Sequence, residues 1–200
     1  MPPARTPEDD IRLYLQRFAT PPADQIDAFI AAGRRRLLPK GAFLTDIGDT
    51  DLILGFLHSG IARYSVLVAH SGEDITKDFS VAPGFVVSFG SAVSGRPARV
   101  AISAVEECVT TCWPYRAIEE MYERDIAWQK LGRKVAEWLY VRKEDRELAF
   151  LLRTPEERYD ALLAEFAPAA DRIPQHLLAS YVGIAPESLS RLKRRRKTPD

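Results

Sequence analysis

The order of apolar and polar positions divides the chain into a short helical start, a β-rich middle and a helical second half. Acidic residues 8–10 followed by spaced apolar residues predict a first helix, and an apolar cluster that stops at Gly33 predicts a second. From Arg34 to Trp113, β-branched and aromatic segments alternate with Gly, Asp and Pro turns. Strands are predicted at residues 43–44, 52–57, 61–68, 75–81, 85–89, 100–104 and 109–113. Because βαβ alternation is missing, this pattern indicates an antiparallel jelly roll, sandwich or barrel, and the whole chain an α+β protein.

Beyond Pro114 the pattern predicts a short helix at residues 115–122 and a long one at about Ile126–Leu152. A stripe recurs along the long helix at steps of three, four or seven, and consists of Trp128, Leu131, Val135, Trp138, Arg142 and Ala149. This spacing is close to a coiled-coil seam. We therefore expect the helix to pack against the same helix of a second copy, with Leu139 and Phe150 as a further apolar edge. Packing of the stripe on the chain's own β-domain is the alternative.

Capping residues predict that another helix starts at Thr154. Thr154 is a suitable N-cap, Pro155 occupies the first helical position and Glu157 completes a capping box. Its inner face is predicted from four apolar positions, Tyr159, Leu162, Leu163 and Phe166. The proline-bearing segment 167–174 ends this helix.

Residues 174–193, PQHLLASYVGIAPESLSRLK, carry the most specific pattern in the chain. Small Ala179 allows two helices to approach, Gly183 suits a tight turn with positive φ, and Pro186 stands at a tolerated position early in the second helix. The inward face is predicted from apolar spacing as Leu178, Val182, Ile184, Leu189 and Leu192. This pattern predicts a helix-turn-helix, in which one helix braces across the DNA backbone while the next enters the major groove.

The second helix offers side chains that can contact DNA. Arg191 can form two hydrogen bonds to guanine, and Glu187 can accept one from the cytosine amino group. The phosphate contacts are predicted to come from Ser188, Lys193, Arg195 and Arg196. Arg194 is expected to face the groove or its walls, and Gln175 is included among the DNA-contacting residues.

The distribution of charge agrees with this prediction, although the net charge is zero, with 28 basic and 28 acidic residues. From Arg172 onward seven Lys or Arg residues stand against two acids, and five of the seven form the run 193–197. Such asymmetry favours a polyanionic partner for this end of the chain, although a solvated basic tail has the same composition.

The remaining composition indicates a soluble cytoplasmic protein. No signal-peptide core and no apolar stretch long enough to cross a bilayer are seen, so no membrane partner is expected. Cys108 and Cys112 are too few for a disulfide framework, and their separation places both side chains on one face of a strand. Strand packing is the preferred interpretation of the pair over a redox or metal role.

Four segments give the chain a resemblance to the Crp/Fnr superfamily of bacterial transcription regulators. PKGAFLTDIGD (residues 39–49) resembles the start of that family's cyclic-nucleotide-binding jelly roll, and FVVSFGSAVSGRPARVAISA (residues 85–104) resembles its phosphate-binding cassette. The helix from Ile126 is similar to the family's dimerisation helix. RIPQHLLASYVGIAPESLSRLKR (residues 172–194) resembles its winged-helix reading head, with Glu187 and Arg191 at base-reading positions and Pro186 in place of a base-reading arginine.

The resemblance implies three segments: an effector domain at residues 1–125, a dimerisation helix at 126–153 and a helix-turn-helix domain at 154–200. It also implies a homodimer on a palindromic double-stranded operator, a small-molecule effector and, for an activator, contact with RNA polymerase. Because few residues are available for a two-stranded wing, the wing is expected to be reduced.

The effector is where the sequence departs from the family. Cyclic-nucleotide binders place a Glu and an Arg in the cassette, whereas an ungapped reading puts Ser88 and Ala98 there. Arg99 falls one place late, which on a strand reverses the face of the side chain. The candidate effector pocket comprises Ser88, Phe89, Arg96, Ala98 and Arg99, with Arg96 or Arg99 available to an anion, and we do not expect cyclic AMP or GMP to bind.

Other function classes have less support in the sequence. Two cysteines are too few for an iron–sulfur cluster, which needs four thiolates. No feature of the sequence favours haem ligation by His58, His70 or His176. The cofactor is therefore unknown. A cupin-like metalloenzyme needs clustered His and carboxylate ligands, so no metal site is expected. No Ser-His-Asp, Cys-His or P-loop pattern is evident, so no catalytic residues are expected. The alternative function is a cyclic-nucleotide or other small-ligand sensor whose main output is not DNA binding.

Overall fold

Two four-stranded antiparallel sheets face each other in the first half of the chain. The computed structural model describes residues 6–197, with the backbone alone at 196 and 197. The strands are β1 (Arg34–Leu38), β2 (Phe43–Thr45), β3 (Ile53–Ser59), β4 (Ile61–Leu67), β5 (Asp74–Val81), β6 (Gly84–Val86), β7 (Ala101–Ala104) and β8 (Cys108–Pro114). Their order is β1-β8-β3-β6 in the first sheet and β2-β7-β4-β5 in the second. The predicted antiparallel jelly roll is confirmed.

Eight α-helices lie among the described residues, together with a 3-10 turn at Ala169–Arg172. The helices are α1 (Pro7–Gln16), α2 (Ala23–Ala31), α3 (Phe89–Ser94), α4 (Arg116–Arg124), α5 (Ile126–Leu152), α6 (Pro155–Phe166), α7 (Gln175–Val182) and α8 (Pro186–Lys197). The capping box predicted at Thr154 and Glu157 is present at the start of α6. Between residues 115 and 197 the chain is helical or irregular, so this part of the structure contains no wing strand.

The strand prediction differs from the structure in two places. Strand β1, which pairs only with β8, was not predicted, because four of its five residues are exposed and three are arginines. The predicted strand 85–89 is wrong at its end, where α3 begins at Phe89. The Ser88 carbonyl accepts hydrogen bonds from the backbone of Ser91 and Ala92, which turns this segment into a helix.

The first sheet is covered on both faces. Its outer face carries a core formed with α1, α2, α4 and the start of α5. In this core the Phe29 and Trp113 rings stack with centroids 4.7 Å apart, and Trp113 Nε1 donates to the Phe29 carbonyl at 2.7 Å. Burial on both faces explains why β3 reads as a continuous apolar run instead of an alternating one.

A second core lies between the sheets and contains both cysteines. Cys108 and Cys112 are buried free thiols, and burial raises the pKa of each. Both side chains face the same core, so the preferred interpretation of strand packing agrees with their position.

The stripe predicted as a dimer seam on α5 faces the chain itself, which requires a correction. Trp128 and Leu131 are 0% and 4% exposed, and Trp128 Nε1 donates to Gln25 Oε1 of α2 at 2.9 Å. Half-buried Val135 packs on the same core, and Arg142 pairs with residues of β5 and α6. These four side chains are committed within one chain. Of the other two members of the predicted seam, Ala149 is half-buried and Trp138 is 42% exposed.

Candidate nucleic-acid interface

Helices α7 and α8 meet at a tight corner centred on Gly183. Gly183 has a φ of 78°, in the left-handed region that favours glycine, and its N–H donates to the Ala179 carbonyl at 2.9 Å. A Cβ at this position would lie 2.7 Å from the Phe150 ring of α5. Ala179 is fully buried, so the small residue and the glycine occupy the positions where the predicted corner needs them.

The core of the corner is formed by the apolar residues identified in the sequence. Four of them are buried, Leu178, Val182, Leu189 and Leu192, while Ile184 is half-buried. Helix α6 adds its predicted inner face to the same core through Tyr159, Leu162 and Phe166. The three helices therefore form one packed unit, in which α8 contributes one apolar face to the core.

The opposite face of α8 carries polar side chains. Glu187, Ser190, Arg191 and Arg194 follow each other at i, i+3, i+4 and i+7, the spacing of one helix face, and all four are exposed. Three of these positions were predicted to contact DNA. Ser190 was missed because a serine between two leucine positions gives no signal of its own without the contact described next.

The other predicted DNA contacts lie on the two flanks of α8. On one flank, the Gln175 Nε2 atom of α7 donates to Ser190 Oγ at 2.6 Å, and half-buried Lys193 lies nearby. On the other flank, Arg195 pairs with Glu156 of α6 at 2.6 Å, and half-buried Ser188 lines the same surface. The Arg196 side chain lies outside the described residues.

The packed unit of α6, α7 and α8, which we term the reading unit, is docked on the outer face of the second sheet. Phe79 of β5 lies with its ring 5.7 Å from Phe166 and 5.6 Å from Tyr181, and it is 2% exposed. The Thr76 backbone N–H donates to Ser180 Oγ at 2.9 Å. These contacts form a third core, which is shared by the sheet and the helices of the corner. Burial raises the pKa of the Tyr181 phenol.

Arg142 joins α5 to both sides of this junction. Its Nη2 lies 2.8 Å from Asp78 of β5 and 2.7 Å from Glu165 of α6. Burial works against the charge, but the two carboxylates outweigh it and raise the pKa of the guanidinium. Arg142, the polar member of the predicted seam, is therefore the link between the long helix, the sheet and the reading unit. Arg146 strengthens the link, since its guanidinium lies 3.6 Å from the Tyr181 ring centroid and donates to the Tyr181 carbonyl.

The cassette residues do not assemble a charged pocket. Ser88 and Ala98 are 3% and 2% exposed, whereas Arg96 and Arg99 are exposed and Phe89 is half-buried. Arg99 lies before β7 begins and its backbone N–H donates to Ser91 Oγ, so the strand argument about the face of its side chain does not apply. Inside the roll, burial raises the pKa of the Tyr64 phenol.

The histidines are not clustered with other metal ligands. His58 Nε2 lies 2.8 Å from Thr111 Oγ1, and burial together with the Arg35 charge lowers the pKa of the ring. Among residues 6–197, no group of three His, Cys, Asp or Glu side chains is arranged to hold a metal ion. In the same part of the chain, no helix is long and apolar enough to cross a bilayer.

Solved structures share this arrangement over most of their length. FixK2 from Bradyrhizobium japonicum superposes with a TM-score of 0.70 at 17% identity, covering 82% of this chain and 85% of that one. The c-di-GMP responsive global regulator CLP of Xanthomonas campestris gives 0.68 at 15% identity, over 88% and 92%. The catabolite activator protein of Thermus thermophilus gives 0.54 at 18% identity, over 88% and 84%. The chain shares the fold of these three proteins.

The fold that the sequence resemblance implies is thus confirmed. No family model and no curated protein matches the sequence. This fold combines a jelly roll, the long helix α5 and the helix pair that meets at the Gly183 corner. Within that fold, the face formed by Glu187, Ser190, Arg191 and Arg194 is the candidate nucleic-acid interface.

Proposed function

We propose that this Crp/Fnr-fold chain is a sequence-specific DNA-binding transcription regulator that acts as a homodimer. One observation carries the proposal: the Gly183 corner buries Leu189 and Leu192 and leaves Glu187 and Arg191 exposed on the opposite face of α8. A helix held by one face, with long polar side chains on the other, is what entry into the major groove requires.

The polar side chains of α8 divide in this proposal into those that contact bases and those that contact phosphates. Arg191 donates two hydrogen bonds to guanine and Glu187 accepts one from cytosine. Lys193, Arg194 and Arg195 neutralise phosphates, and the sequence adds Arg196 to this set. Pro186 cannot donate to a base, so the reading surface begins one residue later than in family members with arginine there.

Selection of duplexes from a random pool tests the proposal directly. The chain should enrich a palindromic site, and Arg191→Ala should lose the preference for guanine at one position of each half-site, about 1–3 kcal/mol of discrimination. Arg191→Lys is the matched control, because it keeps the charge and loses the two-pronged geometry. Absence of any enriched sequence would refute the proposal, and equal weakening by Arg191→Ala on every duplex would refute the role of Arg191.

The dimer is proposed to use a different stripe of α5 from the one predicted. Lys134, Trp138, Val141, Asp145, Leu148 and Leu152 follow each other at steps of four and three, as in a heptad seam. The four apolar members, Trp138, Val141, Leu148 and Leu152, are between 42% and 77% exposed in the single chain. Paired α5 helices would cover this stripe and place two reading helices on one operator.

Charge placed in this stripe tests the dimer. Val141→Asp and Leu148→Asp should give a monomer in sedimentation, because each puts a carboxylate into the proposed seam. Tyr140→Asp is the control, since Tyr140 is 64% exposed but lies off the stripe. An unchanged mass for both seam variants would contradict this interface.

The effector is proposed to be a small molecule other than a classical cyclic nucleotide. The cassette positions that resemble those of nucleotide binders hold Ser88 and Ala98, which supply no charge. Cyclic AMP and cyclic GMP should therefore leave the melting temperature unchanged, and a saturable rise with either would contradict this part of the proposal. A regulator that activates would in addition contact RNA polymerase.

A further inference from the structure

Ser190 is an exposed α8 residue that hydrogen-bonds to the first residue of α7. Gln175 Nε2 donates to Ser190 Oγ at 2.6 Å, across fifteen positions of sequence. Because Ser190 is exposed, this bond does not serve to satisfy a buried group. It links the first residue of α7, the helix that would cross the DNA backbone, to the middle of the exposed face of α8.

We propose that Gln175 and Ser190 together hold one DNA phosphate, an inference that rests on the proposed function. The Ser190 oxygen already accepts a hydrogen from Gln175, so its own hydrogen is left for another acceptor. The Gln175 amide also keeps a second hydrogen. Two neutral donors therefore stand side by side where the brace helix, which crosses the backbone, meets the reading helix.

The surroundings favour a phosphate over a base edge. Lys193 lies one turn beyond Ser190, and it lines a cleft together with Gln175 beside the 3-10 turn. The Ser190 hydroxyl is attached directly to Cβ, so it reaches less far than the neighbouring Glu187 and Arg191 side chains. The long side chains therefore take the bases, and the short hydroxyl takes the backbone.

A neutral phosphate clamp leaves a signature that a charged contact does not. Each phosphate neutralised by Lys or Arg releases counterions and steepens the salt dependence of binding by about 0.9 in log–log slope. Gln175 and Ser190 carry no charge, so their loss weakens binding to every sequence and leaves the slope unchanged. Loss of Lys193 reduces the slope by about one.

Fluorescence anisotropy on the selected duplex, on single-base-pair variants of it and across several salt concentrations tests the clamp. Ser190→Ala should weaken binding to all duplexes about fivefold, as for one neutral hydrogen bond, at constant slope. Ser190→Thr keeps the hydroxyl and should keep the affinity. Ser94→Ala, an exposed serine in the β-domain, is the matched control and should change nothing.

Gln175→Ala combined with Ser190→Ala separates one shared phosphate from two independent ones. For a shared phosphate the double variant should bind about as weakly as either single variant. Unchanged affinity in Ser190→Ala, or a loss of affinity confined to one base pair, would overturn the proposed phosphate clamp. The proposed function would still stand in that case, provided that the wild-type chain selects a duplex sequence. If the wild-type chain selects no duplex, the proposed function itself fails.

Discussion

Truncation of Phe79 tests whether the sheet and the reading unit share one core. Phe79 belongs to β5, but its ring lies 5.7 Å from Phe166 and 5.6 Å from Tyr181, and only 2% of it is exposed. Phe79→Ala removes about 100 Å² of buried apolar surface, or about 2.5 kcal/mol at 25 cal/mol/Å². The remaining cavity and the lost ring contacts bring the expected loss of unfolding free energy to about 3–4 kcal/mol.

Urea denaturation followed by two probes measures this loss. Tryptophan fluorescence reports mainly on the first core through Trp113 and Trp128, and circular dichroism reports on all helices. With a slope of about 2 kcal/mol/M, the midpoint should fall by about 1.5–2 M, and both probes should shift together. Phe43→Ala, at a residue that is 49% exposed, should shift the midpoint by less than about 0.3 M.

A double-mutant cycle then assigns the effect to the junction. Phe79→Ala and Phe166→Ala should be non-additive by about 0.5–1.5 kcal/mol, the coupling expected of an aromatic pair. If the reading unit were hinged free of the sheet, Phe79 would lie on a solvated surface and its truncation would cost little. A loss below about 1 kcal/mol, or additive losses, refutes the shared core.

Three further predictions concern other parts of the structure. Gly183→Ala should cost about 1–3 kcal/mol in urea unfolding, because the positive φ and the Phe150 ring both oppose a Cβ, whereas Gly41→Ala meets no atom and should cost only the strain of its own positive φ. Arg142→Met should lower the unfolding free energy by about 2 kcal/mol in low salt and by less in high salt, since its partners are partly exposed; an effect insensitive to salt would argue against the ion pairs. Cys108 and Cys112 should resist iodoacetamide at pH 8 in the folded chain and react in urea, because burial raises the pKa of both thiols and keeps them protonated; mass spectrometry would show rapid double alkylation of the native chain if this were wrong.

The elements that the sequence predicts well are those with a local cause. The Thr154 capping box, the Gly183 corner and the bounds of α5 follow from residues that are close in the chain, and each is found as predicted. The face of α8 could also be predicted, because Leu189 and Leu192 define its buried side and leave Glu187 and Arg191 outward.

The elements that the sequence predicts poorly depend on distant partners. Periodicity shows that α5 has an apolar stripe, but it does not show whether the stripe meets a second copy or the chain itself. Trp128 is buried by Gln25 and Phe29, about a hundred residues earlier in the chain, and no local pattern contains that information. In the sequence Arg142 is only a polar residue within an apolar stripe, and its role is clear only in the structure, where Asp78 and Glu165 lie beside it. Ser190 acquires a role only through Gln175.

The shared core also limits how an effector could act on the reading unit. Rotating the unit away from the sheet would separate Phe79 from Phe166 and Tyr181 and expose three buried rings. At about 2 kcal/mol for each ring, that exposure costs about 6 kcal/mol before the Arg142 ion pairs are counted. A ligand shifts a conformational equilibrium only by its difference in affinity for the two states. An effector that moves the reading unit in this way must therefore prefer the separated state by roughly four powers of ten. An effector that acts through α5 and Arg142 without opening the core needs a far smaller difference in affinity between the two states.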